Sequence, residues 1–308
     1  MRKQVGRVVA AVTVVGAIVS GCGSGPSQVG SAVIIGSDTI PLALVQDRIT
    51  EALSPERAAA VQGRDQGRGG GYGAPQVARE IVTSEILSTL LDRRTAEEGI
   101  VVDDAMVDQA VASIGSPEEF DQVSLYRPEV ARERLRDDIA AALLGARYVD
   151  RLGVTFEFTG FGTEQEALAA AQVVVAGGPG AEAVFADAPP EGQAQQVRAA
   201  TNPALASSFA FGSPAGSTVV LRPAQDGAPW VLIHVIERSE NLPPAGESAV
   251  GQLGQQDLQL IGYRLLQPAA TELGVEVNPR YGVWDPIQLA VVDAEETAGS
   301  LVLPPAPE

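Results

Sequence analysis

The sequence is poor in the side chains that carry most catalytic chemistry. Its 308 residues include one cysteine, one histidine and one lysine, which are Cys22, His234 and Lys3. A zinc site would need carboxylates almost alone, because zinc in proteins is held mainly by cysteine and histidine. Phosphate-binding loops, Schiff bases and Ser-Lys dyads all need a lysine. If the first residues are removed as a signal peptide, as argued below, the mature chain has no lysine for such a site. We therefore expect no metal and no cofactor.

Positive charge is scarce as well. The chain has 21 Lys and Arg residues against 39 Asp and Glu residues, and a formal net charge of −18. Such an acidic surface repels phosphate backbones, so we expect no nucleic-acid partner. It favours basic binding partners instead. The apolar content of 45% indicates a folded chain despite 33 glycines and 21 prolines.

The first residues have the pattern of an export signal. A basic head precedes an apolar run, residues 8–19, that is too short to cross a bilayer and is followed by small residues. We therefore predict a signal peptide over residues 1–21. The motif VSGC, residues 19–22, resembles the bacterial lipobox. The cysteine of a lipobox receives a diacylglycerol, and the resulting lipoprotein carries palmitate-type acyl chains.

Lipidation of Cys22 would hold the protein on the extracytoplasmic side of the cell membrane, because several acyl chains anchor durably where one is marginal. A lone exported cysteine has two other interpretations, an unpaired reactive thiol or a buried apolar side chain. Residues 22–30, which contain several small and polar residues, are predicted to be a flexible tether.

Hydrophobic periodicity predicts a helical region over residues 31–152, headed by one short strand. Apolar residues recur at helical spacing in four stretches, each with one face suited to burial: residues 41–53, 76–98, 103–114 and 128–152. Gly99 is placed as a left-handed helix stop, Asp103 as an N-cap, and Ser116 with Glu119 as a capping box. Residues 54–75, rich in glycine and charge, predict a mobile surface loop.

The pattern changes at Gly153, where apolar and polar residues begin to alternate as in a half-buried strand. A helix over 164–176, a short helix over 203–210 and strands over 218–221 and 230–238 make residues 153–240 a small α+β module. Residues 241–285 supply another helix and a strand. Residues 286–308 are acidic and proline-rich, which predicts a disordered tail.

Three stretches resemble the SurA N-terminal domain family. The opening SAVIIGSDTIPLALVQDRI has its strand-turn-helix start, and AREIVTSEILSTLLDRRTAEEGIVVDDAMVDQAV is similar to its two central helices. The connector between those helices is kept at Gly99, Ile100, Val102 and Asp103. The ending EVNPRYGVWD looks like that of actinobacterial lipoprotein members. The resemblance implies a mainly helical chaperone core of the SurA/PrsA type, completed by a C-terminal helix, around an inserted parvulin-like domain.

The parvulin-like module resembles a peptidyl-prolyl isomerase that has lost its site. Parvulins have a histidine on the first strand, where this chain has none, and a second one that aligns with Val231. His234 falls where the family usually has a lysine. Side chains alternate along a strand, so His234 should share a face with Leu232 while Val231 points to the opposite side. The resemblance therefore implies a degenerate module, an interpretation in which the protein is not an enzyme.

Four pairs of adjacent acids are candidates for hydrolytic or calcium chemistry. They are Glu97-Glu98, Asp103-Asp104, Glu118-Glu119 and Asp137-Asp138. Neighbours on a helix diverge by about 100°, and each pair lies at a cap or on a polar face. We interpret all four as solvated surface.

The resulting functional hypothesis is a membrane-anchored extracytoplasmic chaperone that binds unfolded or exported polypeptides, without isomerase activity. A structural lipoprotein that docks one cell-envelope partner is the alternative, and an active isomerase is the third. Candidate peptide-contact residues are Tyr72, Met106 and Tyr148, although Met106 and Tyr148 also lie on the apolar stripes of their helices.

Overall fold

The computed structural model describes residues 29–223, 225, 227–244 and 246–304. The predicted signal peptide, Cys22 and most of the predicted tether lie outside the described residues. Helices and strands occur together in the described chain, which confirms the α+β fold class. None of the helices in these residues is long and apolar enough to cross a membrane.

The described chain contains helices α1 to α12 and strands β1 to β10. The helices are α1 (Leu42–Ala52), α2 (Ala58–Gly67), α3 (Ala74–Glu98), α4 (Asp104–Ile114), α5 (Pro117–Val123), α6 (Pro128–Tyr148), α7 (Glu164–Ala176), α8 (Pro179–Val184), α9 (Pro203–Ala206), α10 (Phe209–Gly212), α11 (Gln255–Arg264) and α12 (Gln267–Leu273). The strands are β1 (Ser31–Ile35), β2 (Asp38–Pro41), β3 (Gly153–Phe161), β4 (Gln195–Arg198), β5 (Thr218–Leu221), β6 (Trp230–Ser239), β7 (Val275–Val277), β8 (Val283–Asp285), β9 (Ala290–Val292) and β10 (Gly299–Val302).

The helix ends follow the capping residues of the sequence. Gly99 ends α3 with a φ of 63°, a left-handed conformation that glycine adopts without a Cβ penalty. Asp103 caps α4, since its carboxylate accepts the N–H of Met106 at 2.9 Å. Ser116 and Glu119 bond reciprocally at the start of α5. All three predicted boundaries are confirmed.

The predicted mobile loop over residues 54–75 is wrong, because α2 lies inside it. Charges that suggested a solvated segment are paired with neighbouring elements. Arg57 donates to the Asp121 carboxylate at 2.6 Å, and Arg64 to Glu80 at 3.2 Å. The arginines thus hold α2 against α5 and α3, so this segment is folded by contacts distant in sequence.

Residues near 275 pair with the first strand of the chain. Strand β1 is buried along its whole length and lies between β2 and β7, antiparallel to both. Val33 is opposite Val277, and Ile35 is opposite Val275. The N-terminal and C-terminal parts of the chain therefore share one small sheet.

Helices α6 and α11 cross at the centre of the core with almost no space between their backbones. A Cβ added to Gly145 of α6 would overlap the Leu258 carbonyl of α11, and one added to Gly262 would overlap the Ala141 carbonyl. Only glycine permits this approach, since any larger residue would push the helices apart. The crossing fixes α11 beside the polar residues of α6.

The module that begins at Gly153 is built on an antiparallel sheet with the strand order β10-β5-β6-β3-β4. One of its two edge strands, β10, comes from residues beyond 285, where a disordered tail was predicted. Gly299 lies opposite Leu221 and Val302 opposite Thr218. The predicted disorder is therefore wrong for residues 286–304.

Buried and paired acids explain why this acidic segment folds. The Asp285 carboxylate is 1% exposed and accepts the backbone N–H groups of Ile287 at 2.7 Å and Ala298 at 2.6 Å. Arg79 of α3 pairs with Asp293 and Glu296. Composition suggested solvation, but these carboxylates hold turns together and bind α3.

Candidate functional site

The only histidine of the chain lies in the middle of the module's sheet. His234 on β6 is opposite Glu157 of β3 and Thr218 of β5. Its Nδ1 lies 3.0 Å from Glu157 Oε1, and its ring stacks on Phe185 with centroids 6.0 Å apart. The imidazole thus has a structural carboxylate partner and an aromatic cover.

The two faces of β6 separate as the alternation predicts. Leu232 packs in a small core with Phe185 and Val220, on the face that also carries His234. Val235 packs in the main core of the chain, on the opposite face. A bulge beyond Val235 interrupts the register, since Phe156 pairs with Val235 and Thr155 with Glu237. The prediction that His234 shares a face of β6 with Leu232 is confirmed.

The three predicted contact residues are not brought together. The hydroxyls of Tyr72 and Tyr148 both donate to acids of α3, Glu80 at 2.8 Å and Glu98. These acids are 18 residues apart, which separates them by about 27 Å along a helix. Met106 is half-buried on α4.

Tyr72 and Tyr148 expose little surface to a ligand. Tyr72 is 5% exposed and Tyr148 7% exposed. Burial raises the pKa of each phenol, and the acid that accepts its hydrogen bond raises the pKa further. Arg94 and Arg151 lie against the Tyr148 ring, each with its guanidinium carbon 5.2 Å from the centroid. Both tyrosines act as structural side chains at these positions.

A groove of about 440 Å³ is lined by residues of α2, α3, α4, α5, α6 and α11. Its lining combines apolar, hydroxyl-bearing and ionisable side chains. The residues are Arg64, Glu80, Thr83, Ser84, Leu87, Ile114, Phe120, Val123, Ser124, Tyr126, Ala131, Arg134, Leu135, Asp137, Asp138 and Tyr263. We call it the α3–α6 groove.

The apolar end of the α3–α6 groove is open to solvent. Ile114 at the end of α4 is 47% exposed, and Val123 at the end of α5 is 57% exposed. Below them Phe120 and Ala131 form a small buried cluster with Val111. Apolar side chains left at a concave surface are available to cover an apolar ligand.

The polar floor of the groove is organised by Arg134 of α6. Its Nη2 donates to Glu85 at 3.1 Å, and its Nη1 donates to Asp137 at 3.0 Å. Glu85 also accepts from Arg48 of α1. Glu85 is 6% exposed, and burial raises its pKa while the two arginines lower it. The arrangement ties three helices together through one buried carboxylate.

The adjacent acids of α6 have different environments. Burial raises the pKa of Asp137 to about 6, although Arg134 and the Ser88 hydroxyl favour its ionised form. Asp138 accepts from the Gln259 amide at 2.6 Å and the Tyr263 hydroxyl at 2.7 Å, both on α11. Burial raises its pKa too, and these two donors and the charge of Arg134 lower it.

The interpretation of Asp137-Asp138 as solvated surface is therefore wrong. Both carboxylates are only partly exposed, because α11 and α3 cover the face of α6 that carries them. A sequence signal for this polar floor exists in α3, where Glu85 shares a helical stripe with Ile81 and Val82. A carboxylate on such a stripe requires a buried partner. The described residues contain no cluster of three or more potential metal ligands.

No protein-family model and no curated protein matches the chain. Three solved structures align with it over most of its length. The foldase protein PrsA from Lactococcus lactis is 12% identical over 81% of this chain and 95% of its own, with a TM-score of 0.28. The foldase protein PrsA from Streptococcus pneumoniae is 11% identical over 82% and 96%, with a TM-score of 0.24.

The third structure comes from a study of PEB4 and Cj1289, described as SurA-like chaperones of Campylobacter jejuni. It is 10% identical over 81% of this chain and 99% of its own, with a TM-score of 0.19.

We predict that Asp137 makes the protein less stable as the pH rises. Its pKa is higher in the folded state, about 6, than the usual value near 3.9. The folded protein therefore binds the extra proton between about pH 4 and 6, and its stability falls through that window. Asp137→Asn should raise the free energy of unfolding by about 1–2 kcal/mol at pH 7.5, relative to the parent chain, and by much less at pH 4.5.

Urea unfolding of both chains at the two pH values measures this difference. The same comparison for Asp47→Asn, a change of an exposed carboxylate on α1, provides the baseline. An Asp137→Asn effect that is equal at both pH values would contradict the raised pKa.

Proposed function

We propose that this protein is a chaperone that binds unfolded or exported polypeptides in the α3–α6 groove. It would be held at the extracytoplasmic face of the membrane by lipid on Cys22. The observation that carries the proposal is the apolar end of the groove, where Ile114 and Val123 are exposed beside a buried apolar cluster. Unfolded chains expose apolar side chains that such a surface can cover.

The open shape of the groove suits a polymer better than a small metabolite. Residues of several helices line it, and Ile114 and Val123 of its lining are exposed to solvent. Small-molecule sites usually bury most of the ligand surface. An extended polypeptide segment instead needs a groove that is open to solvent. The resemblance to the SurA N-terminal family, carried by the connector at Gly99, Ile100, Val102 and Asp103, supports the same function.

We also propose that the module over residues 153–240 has no isomerase activity. His234 is engaged by Glu157 and Phe185, on the face opposite to Val235. The position that aligns with a parvulin histidine is occupied by Val231. A hydrogen-bonded network beneath a prolyl ring would lack both of its histidines. The module then serves as a scaffold that β10 completes.

The chaperone proposal predicts that the full chain suppresses aggregation of several unrelated unfolded proteins at near-stoichiometric ratios. The double substitution Ile114→Ser with Val123→Ser should raise the concentration needed for half-protection by about fivefold, since two apolar contacts are lost. Light scattering during the dilution of denatured proteins measures the effect. Val173→Ser with Leu260→Ser is the matched control, because these side chains are 44% and 47% exposed elsewhere on the chain.

If both double variants lose protection to the same extent, the α3–α6 groove is not the site at which the protein binds its clients. A chain that protects nothing but co-purifies with a single envelope protein would instead support the docking lipoprotein.

The scaffold interpretation predicts that the full chain does not accelerate proline isomerisation in a peptide substrate above the spontaneous rate. The reaction is followed by a coupled protease assay with a known parvulin as the positive control. Acceleration that disappears in His234→Ala would overturn the interpretation and assign catalysis to this histidine. Acceleration that survives the change would overturn the interpretation as well, and would mean that catalysis uses no histidine.

The lipid anchor predicts that Cys22→Ala releases the protein from the membrane fraction of an expressing bacterium, because the acyl chains cannot be attached. Fractionation followed by immunoblotting measures the distribution, and Ser20→Ala serves as the control that keeps the thiol. Unchanged membrane attachment of Cys22→Ala would show that another segment holds the protein there.

A further inference from the structure

The α3–α6 groove contains one carboxylate, Asp138, that forms no direct salt bridge, although the nearby charge of Arg134 lowers its pKa. Asp138 receives hydrogen bonds at Oδ1 from the neutral donors Gln259 and Tyr263. Among the described residues no arginine or histidine lies within ion-pair distance of it, and no group donates a hydrogen bond to Oδ2. An incompletely compensated carboxylate in a partly buried groove attracts a cation more strongly than an exposed one.

The other charged groups of the groove already form salt bridges. Arg64 pairs with Glu80, and Arg134 pairs with Glu85 and Asp137. These interactions leave Asp138 as the lining acid that can accept a new salt bridge without breaking an existing one. The charge of the groove thus complements a positively charged ligand.

The distance between the apolar end and Asp138 fits an extended polypeptide. Ala131, in the buried apolar cluster, and Asp138 are seven residues apart on α6, which corresponds to about 10 Å along the helix axis. An extended chain advances about 3.3 Å per residue, so about three residues cover this distance. One segment can therefore contact both ends of the groove.

We propose that the α3–α6 groove binds an extended polypeptide segment in which an apolar residue lies two to four residues from a lysine or arginine. The apolar side chain would cover Ile114 and Val123, and the cation would pair with Asp138. This inference rests on the proposed chaperone function and specifies its client. The net charge of −18 argues against a second copy of this chain as the occupant, because two such chains repel each other.

The test uses three fluorescent 12-residue peptides with the full chain at pH 8. Each peptide has one leucine and, three residues later, lysine, glutamine or glutamate, with serine and glycine elsewhere. Fluorescence anisotropy should give about fivefold tighter binding for the lysine peptide than for the glutamine peptide, and weakest binding for the glutamate peptide. Asp138→Asn should abolish the preference for lysine over glutamine, because the amide cannot form the salt bridge.

Two controls separate the groove from the overall acidic surface. Asp47→Asn removes one exposed negative charge on α1 and should preserve the preference for lysine. Ile114→Ser with Val123→Ser should weaken all three peptides, whereas Val173→Ser with Leu260→Ser should weaken none. A preference that persists in Asp138→Asn would overturn the proposal and attribute it to the surface as a whole.

The failure of this inference differs from the failure of the chaperone function. A chain that suppresses aggregation but binds the three peptides equally keeps its chaperone function and loses the cationic client. A chain that neither protects proteins nor binds peptides loses both. If circular dichroism shows that Asp138→Asn is unfolded, the peptide series with the unmodified chain still decides, because equal affinities contradict the proposal.

Discussion

The close crossing of α6 and α11 determines most of the architecture. Gly145 and Gly262 allow the two backbones to touch, so a helix from residues 255–264 packs against one from residues 128–148. The approach brings Gln259 and Tyr263 to Asp138. It also directs the following chain towards β1, where β7 completes the first sheet. The close approach of these two helices thus links the fold to the groove.

The buried charges of the helical region carry a desolvation penalty that apolar residues would avoid. Glu85 is offset by two arginines from different helices, Arg48 and Arg134, which fixes the mutual positions of α1, α3 and α6. An apolar core could hold those helices together but would not give the groove a polar floor. We infer that this network of buried charges supports the polar floor of the α3–α6 groove, next to its apolar end.

Local patterns predicted the parts of this chain that depend on local interactions. The caps at Asp103 and Ser116, the end of α3 and the alternation in β6 all follow from short-range hydrogen bonds or from strand geometry. Helix α2 and the folded tail were missed because their stability comes from distant pairs, such as Arg57 with Asp121. Composition alone cannot distinguish a charge in solvent from a charge held by a partner 64 residues away.

The same explanation applies to the candidate site, where Tyr72 and Tyr148 are buried and Asp137-Asp138 was interpreted as solvated surface. Asp137 and Asp138 looked solvated because α6 by itself presents them on its polar face. They become partly buried only because α11, more than a hundred residues later in the chain, packs against α6. The residues most informative about function are consequently those whose local pattern and tertiary environment disagree. Asp138 is the clearest example, since a polar position on its own helix becomes the acidic end of a groove.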